Sequence, residues 1–279
     1  MITITLPGML GDNVYKIPIT HRIAKDHQES VRLLLDRPSS ILGDLLSRES
    51  WVESVQYSDG VTNYGLGGQP WDFGLGDGEE YIHLGYRRFP INHFTVESML
   101  QAKLPITEDW YRYTARHACI SNLHKQSITQ LLIHVGSSVD QKSAGATQAI
   151  LQIAPLILRT IRKLPITIVT NGTNPNTVEE LQRTLHGTTF ESPKDLRVLL
   201  ELMRSSVLIC ADSFTAALAW LIDSPHVRIV VPDAVPQYYE SKFRFVEPGN
   251  RSNEQACWQS RPASIITAVQ TLLRKPLRG

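Results

Sequence analysis

The chain opens with a short β-branched run, ITITL at residues 2–6, which stops at Pro7-Gly8; Val14, Ile17, Ile23 and Ala24 then recur at the spacing of one helix face. A strand, a glycine turn and a helix are predicted. Residues 31–35 form a second apolar run, Leu42, Leu45 and Leu46 mark a short helix, and residues 52–57 a third strand. Strands and helices alternate from the start, the pattern of parallel strands joined by crossover helices. From 58 to 78 the pattern breaks into SDGVTNYGLGGQPWDFGLGDG, dense in glycine and aromatics, and reads as a long loop. A strand over 81–84 and a helix over 97–104 follow, and a polar stretch over 118–127 marks a domain boundary.

The second half repeats the alternation with longer apolar runs. LLIHV (131–135), ITIVT (166–170), VLICA (207–211) and VRIVV (227–231) are predicted strands, with helices over 145–162, 177–185, 194–204 and 213–222 and an amphipathic final helix over 263–274. Strands that are apolar nearly throughout belong to sheets covered on both faces, so a doubly wound α/β domain is predicted. Ligands of such sheets bind beyond the carboxyl ends of the strands, which makes the residues just after each strand the informative ones.

Composition narrows the picture mainly by exclusion. At 279 residues, with 42% hydrophobic and 20% charged residues, the chain can bury one large core or two smaller ones. A formal net charge of +1 supplies no long-range field to draw nucleic acid or an anionic membrane, so nucleic acid is allowed as a partner but not favoured. Cys119, Cys210 and Cys257 lie far apart without a CxxC pair, which argues against a disulfide framework or a zinc site and fits a reducing cytoplasm. Neither a signal peptide nor a transmembrane anchor is expected, because the N-terminus lacks a basic region and no apolar stretch approaches the roughly 20 residues a spanning helix needs. The histidines show no HExxH spacing and no DxD motif occurs, so no metal is implied. Asp72-Phe73-Gly74 matches a kinase tripeptide without the glycine-rich lid or catalytic loop that would give it meaning. Trp71, Phe73 and Tyr81 could stack on a sugar or a base, although aromatics so placed more often close a core.

Four constellations stand at strand ends. Gly8-Met9-Leu10-Gly11-Asp12 follows the first strand; Asp12 could serve as a general base toward a hydroxyl, or merely favour the start of its helix as an N-terminal carboxylate. In Gly136-Ser137-Ser138-Val139-Asp140-Gln141-Lys142, loop N–H groups, hydroxyls and one cation suit a diphosphate; a solvated serine loop is an equal reading. Asn171-Gly172-Thr173-Asn174-Pro175 precedes Glu179 and Glu180, acids that could accept from ribose hydroxyls or simply occupy the first turns of a helix. In Ala211-Asp212-Ser213-Phe214-Thr215-Ala216-Ala217 a buried strand passes directly into a helix, whose free N–H groups form an anion site unless Asp212 or Ser213 is only its cap.

Together, GMLGD after the first strand, the SSVDQK segment and DLRVLLELMRSSVLICADSFTAALAWLIDSPHVRIVV resemble the ADP-heptose heptosyltransferases of glycosyltransferase family 9, over residues 1–57 and 130–232. The resemblance implies a GT-B fold: two Rossmann-like, doubly wound α/β domains facing a cleft, an acceptor-side domain over 1–125 and a nucleotide-sugar-binding domain over 126–279, with the terminal helix packing back on the first. It implies Asp12 as the base, Ser137, Ser138 and Lys142 at the diphosphate, and Asp212, Ser213 and Phe214 at the donor-binding helix start, with Glu179 as the candidate ribose ligand; Thr215, read from the residues alone, can add a hydroxyl donor at the same helix start. Phe214 stands where the family has a glycine and Ala217 where it has a histidine, departures that bear on donor binding.

The activity so implied is inverting, metal-independent transfer of a heptose-like sugar from a nucleoside-diphosphate donor, ADP-linked in the family, to a hydroxyl of a glycolipid or other acceptor. The donor is a substrate and no further cofactor is expected. The expected location is the cytoplasm, with peripheral attachment to the inner membrane left open, as is oligomeric state. Two other readings stay open: a related transferase acting on nucleic acid or protein, and a non-catalytic module of the same fold that binds a nucleotide or a partner, which Phe214 and Ala217 motivate.

Overall fold

The structure, a computed structural model, describes residues 1–8, 10–58, 81–85, 98–99, 102–105, 116–123, 126–161, 164–191, 195–231, 250–251 and 253–274. The long loop from 59 onward, with Trp71 and Phe73, residues 97, 100 and 101 of the helix expected over 97–104, and residue 194 at the start of the helix expected over 194–204 lie outside these residues. The chain divides into two compact units between Asn122 and Leu123.

The first unit holds four parallel strands, β1 (Ile2–Leu6), β2 (Val31–Asp36), β3 (Val52–Ser58) and β4 (Tyr81–His83), in the order β3-β2-β1-β4. Every residue of β1 is buried, as befits a strand with neighbours on both sides. α1 (Leu10–His27) connects β1 to β2 and buries Val14, Ile17, Ile23 and Ala24, the positions whose spacing predicted it; α2 (Ser40–Leu46) buries Leu42, Leu45 and Leu46.

The second unit is built on a seven-stranded sheet, β10-β11-β9-β8-β5-β6-β7, parallel except for the β10–β11 pair. Its strands are β5 (Gln130–His134), β6 (Ile166–Val169), β7 (Thr188–Phe190), β8 (Ser206–Ala211), β9 (His226–Val230), β10 (Asn250–Arg251) and β11 (Glu254–Trp258). Its helices are α3 (Asp140–Thr160), α4 (Pro175–Leu185), α5 (Leu196–Arg204), α6 (Phe214–Leu221) and α7 (Ala263–Arg274). Leu131, Ile133, Val207, Ile209, Val227 and Ile229 form one core with the buried stripes of α3, α4 and α7. By strand alternation Leu132, Leu208 and Cys210 face the other side, where α5 and α6 pack on β8. Asn174 caps α4 by accepting from Asn176 N–H at 2.9 Å, and Asp195 caps α5 by accepting from Arg197 N–H at 3.0 Å.

Three expectations are revised. α3 begins at Asp140, not at 145, because its first turns are polar and partly exposed and leave no trace in the apolar periodicity. β7, β10 and β11 leave no strand signal in the pattern of apolar residues: two of them are only two or three residues long, and β11 has the polar pair Glu254-Gln255 at its start. The terminal helix, α7, places Ile265, Ala268, Val269 and Leu272 in the second unit's core, where its own apolar stripe finds β9 and β11.

The central position of β8 makes Ile209 a direct probe of this core. Ile209→Ala is expected to lower the free energy of unfolding by about 2–5 kcal/mol, whereas Val198→Ala, on the exposed side of α5, changes it by less than about 0.5 kcal/mol, as read by urea denaturation.

Candidate functional site

In both sheets the first strand has neighbours on either side. β5 lies between β6 and β8, and β1 between β2 and β4, so the connections leaving each first strand and its later neighbour diverge and open a crevice at the carboxyl ends. In each unit a cluster of buried polar residues lies at that end.

In the second unit the segments after β5, β6 and β8 are tied together. Gly136 is packed so closely on the next segment that a Cβ would come within 2.7 Å of Gly172 backbone atoms and 2.8 Å of the Asn171 carbonyl; only glycine fits without displacing main chain. His134, which closes β5, joins the same places through its ring: Nε2 lies 2.6 Å from the Asn171 carbonyl oxygen and Nδ1 2.6 Å from Thr215 Oγ1. Thr215 Oγ1 in turn lies 3.2 Å from Ser213 Oγ.

Beside this runs a row of charges. Lys142 Nζ donates to the carbonyl of Asp212 and to its Oδ2, both at 3.1 Å; Arg228 lies 3.5 Å from Asp212 Oδ1 and 2.5 Å from Glu254 Oε1. Lys142 and Asp212 are only 11% and 13% exposed, so solvent screens their pair weakly. Burial by itself would raise the Asp212 carboxyl, but Lys142 and Arg228 outweigh it and hold the group below its usual range. The row sums to zero charge, two cations against two carboxylates.

The structure thus brings Lys142, Asp212, Ser213 and Thr215 to one strand end, with Phe214 opening α6 between the hydroxyls. Lys142 is placed in the first turn of α3 and not in a loop. Ser137 belongs to the β5–α3 turn, where its hydroxyl accepts from Val139 N–H at 3.2 Å, and Ser138 beside it is exposed. Ala217 is fully buried. Glu179 is not drawn in: it stands exposed in the second turn of α4 and, among the described residues, shares no hydrogen bond or ion pair with the cluster.

In the first unit Asp12 lies in the first turn of α1, 8% exposed, beneath the turn made by Gly8, whose φ of +110° is a backbone state other residues rarely adopt. Lys16, one turn further on, is fully buried and donates to the Pro7 carbonyl and to Asn13 Oδ1. Asn13 donates to the Gly8 carbonyl at 3.3 Å and to Ser39 Oγ at 2.9 Å, so α1 grips both the β1 turn and the segment after β2. Burial lowers Lys16 to about 7, against the opposing pull of the Asp12 and Asp36 charges. Nearby, Thr5 Oγ1 and His83 Nδ1 are 2.6 Å apart across β1 and β4.

Lys16, His134, Arg228 and Glu254 were missed from the sequence. Lys16 and Arg228 left a usable signal, since a lone cation inside an apolar run must find a partner. His134 closes the apolar run of β5 as its one ring nitrogen donor. Among the described residues no group of three or more His, Cys, Asp or Glu side chains is arranged to hold a metal ion, and no helix is long and apolar enough to cross a membrane.

No family model matches the chain, and no curated protein matches its sequence. Two α/β units of this kind are the architecture of GT-B proteins. The Escherichia coli heptosyltransferase WaaC with ADP-2-deoxy-2-fluoro heptose is similar at a TM-score of 0.60 and 14% identity, covering 98% of each chain. The same enzyme with ADP gives 0.59 and 13%, covering 97% of this chain and 99% of that one. The E. coli ADP-heptose lps heptosyltransferase II gives 0.57 and 13%, again over 98% of each. The chain therefore has the GT-B fold seen in these heptosyltransferases.

The buried ammonium sets a pH dependence. Below about pH 7 both folded and unfolded chains hold the Lys16 proton; between about 7 and the ordinary value of 10.5 the unfolded chain binds a proton that the folded one has released, so stability rises with pH. Urea denaturation of wild type against Lys16→Met is expected to diverge in favour of wild type above about pH 7, by up to about 1.4 kcal/mol per pH unit. A difference independent of pH would mean that Lys16 keeps its proton when buried.

Proposed function

We propose that this chain is a glycosyltransferase that moves a heptose-like sugar from a nucleoside-diphosphate donor to an acceptor hydroxyl, with inversion and without a divalent ion. The observation that carries this reading is the place of Lys142. A cation in the first turn of a helix opposes the helix dipole, and here it is kept there, largely desolvated, at the strand-end crevice beside the start of α6. A diphosphate arriving at that point meets the ammonium, the first N–H groups of α6 and the serine turn after β5. The fold supports the same reading, since similar structures were determined with ADP and with an ADP-heptose analogue.

In the proposed reaction the acceptor oxygen forms a bond to the anomeric carbon on the face opposite the leaving group. The bond from that carbon to the diphosphate oxygen breaks, its electron pair leaves with the nucleoside diphosphate, and the acceptor proton passes to the Asp12 carboxylate. Negative charge developing on the leaving oxygen is held by Lys142 and the α6 N–H groups, in the role a metal ion plays elsewhere. Asp212 stores Lys142 between turnovers, and Arg228 keeps the Asp212 charge compensated when the ammonium turns to the phosphates. The acceptor class, whether glycolipid, protein or nucleic acid, follows from assays with each.

Calorimetry with nucleoside diphosphates and their sugars tests the donor site. Lys142→Ala is expected to weaken binding by about 1–3 kcal/mol, and unchanged affinity would put the phosphates elsewhere. Asp12→Asn preserves size and most hydrogen bonding but removes basicity; it is expected to lower kcat by about 10² to 10⁴ with nucleotide affinity nearly unchanged. Nucleotide binding without transfer to any acceptor, in wild type as in the variant, would favour the non-catalytic module, a reading to which Phe214 and the buried Ala217 lend weight.

A further inference from the structure

The hydrogen bonds around His134 have only one consistent set of directions. The Asn171 carbonyl can only accept, so Nε2 carries a hydrogen and donates across the 2.6 Å contact. His134 is 6% exposed, and burial lowers the basicity of its ring, outweighing the Asn171 bond that raises it. The ring is therefore neutral at pH 7 and Nδ1 offers a lone pair. Thr215 must donate to it at 2.6 Å. Having given its one proton, Thr215 can only accept at the 3.2 Å contact, so Ser213 donates. Ser213 is the residue preceding α6, yet its hydroxyl does not cap the helix.

We propose that His134 is a positioning residue that, through Thr215, fixes hydrogen-bond direction at the start of α6. Ser213 turns its proton inward and presents lone pairs outward. It therefore recognises a hydroxyl of the donor's sugar, while the phosphate oxygens fall to the α6 N–H groups and Lys142. The recognition half of this rests on the proposed donor site; the direction of the chain does not. A serine at a helix start would ordinarily be read as one more donor to the anion, and the imidazole reverses that.

Two measurements test it. Long-range ¹H–¹⁵N correlation of labelled protein at neutral pH is expected to show His134 protonated at Nε2, with Nδ1 shifted as an acceptor. Thr215→Val should move the Nδ1 resonance and Thr215→Ser should leave it in place, each variant being checked for folding by its thermal midpoint. Protonation at Nδ1, or an Nδ1 signal indifferent to Thr215→Val in a folded variant, overturns the proposal. Calorimetry then compares Ser213→Ala with wild type on ADP and on ADP-heptose. Loss of one hydrogen bond is expected to weaken the sugar nucleotide about tenfold and ADP less than about twofold. Equal losses on both ligands overturn the recognition of the sugar. If wild type binds neither ligand, the proposed donor site fails, and with it the sugar recognition, while the resonance of Nδ1 still decides the direction of the chain.

Discussion

A parallel strand with neighbours on both sides cannot be left and re-entered on one side only. That constraint governs both halves of this molecule. β1 and β5 are each followed by strands laid first to one flank and then to the other, and the divergence opens a crevice in a sheet otherwise closed by helices. The rest follows from what must fill it: backbone groups of the turns, helix starts and side chains with polar ends reaching inward from buried stems. In the second unit the crevice is held open and in register by direct main-chain contact at Gly136 and by one imidazole bridging two neighbouring segments.

The two units fill their crevices differently. In the first, the polar groups are sealed: Lys16 and Asn13 spend their hydrogen bonds on the turn that carries Asp12 and on the segment after β2, and the ammonium is desolvated far enough to lose much of its basicity. In the second, the charges form a row that ends at a partly exposed pair, Lys142 and Asp212, while Arg228 and Glu254 anchor it within the sheet. A sealed cluster suits a group that must keep one geometry. An open-ended row suits a cation that exchanges one anionic partner for another.

Much of the fold was legible in the residues. β8 and β9 are buried throughout and β5 in all but its first residue, Gln130, and strands covered on both faces write themselves as nearly continuous apolar runs. α1 and α2 were legible because their apolar faces pack on one sheet, but the first turns of α3 were not, since Asp140–Ala144 touch little of the core. The site was legible to the same degree and for the same reason. The rule that ligands of such sheets bind at strand ends singled out Asp12, Ser137, Lys142, Asp212 and Ser213 as candidates, and the structure places each beyond the carboxyl end of a strand. It could not supply Arg228, Glu254 or His134, because each acquires its partner only when distant strands are laid side by side, and Glu179 shows the converse, a plausible acid that the helix turns outward.

β7 carries a consequence of another kind. It is the outermost strand beside β6, three residues long, with Thr188 and Thr189 exposed and the Thr188 hydroxyl turned onto β6, where it reaches the Ile166 carbonyl at 3.4 Å. A border so brief and so wet offers an incoming strand few main-chain groups to pair with and little apolar surface to bury. The sheet protects itself from growing by recruitment of foreign chains at this flank, and a lengthened or greasier β7 would trade that protection for aggregation.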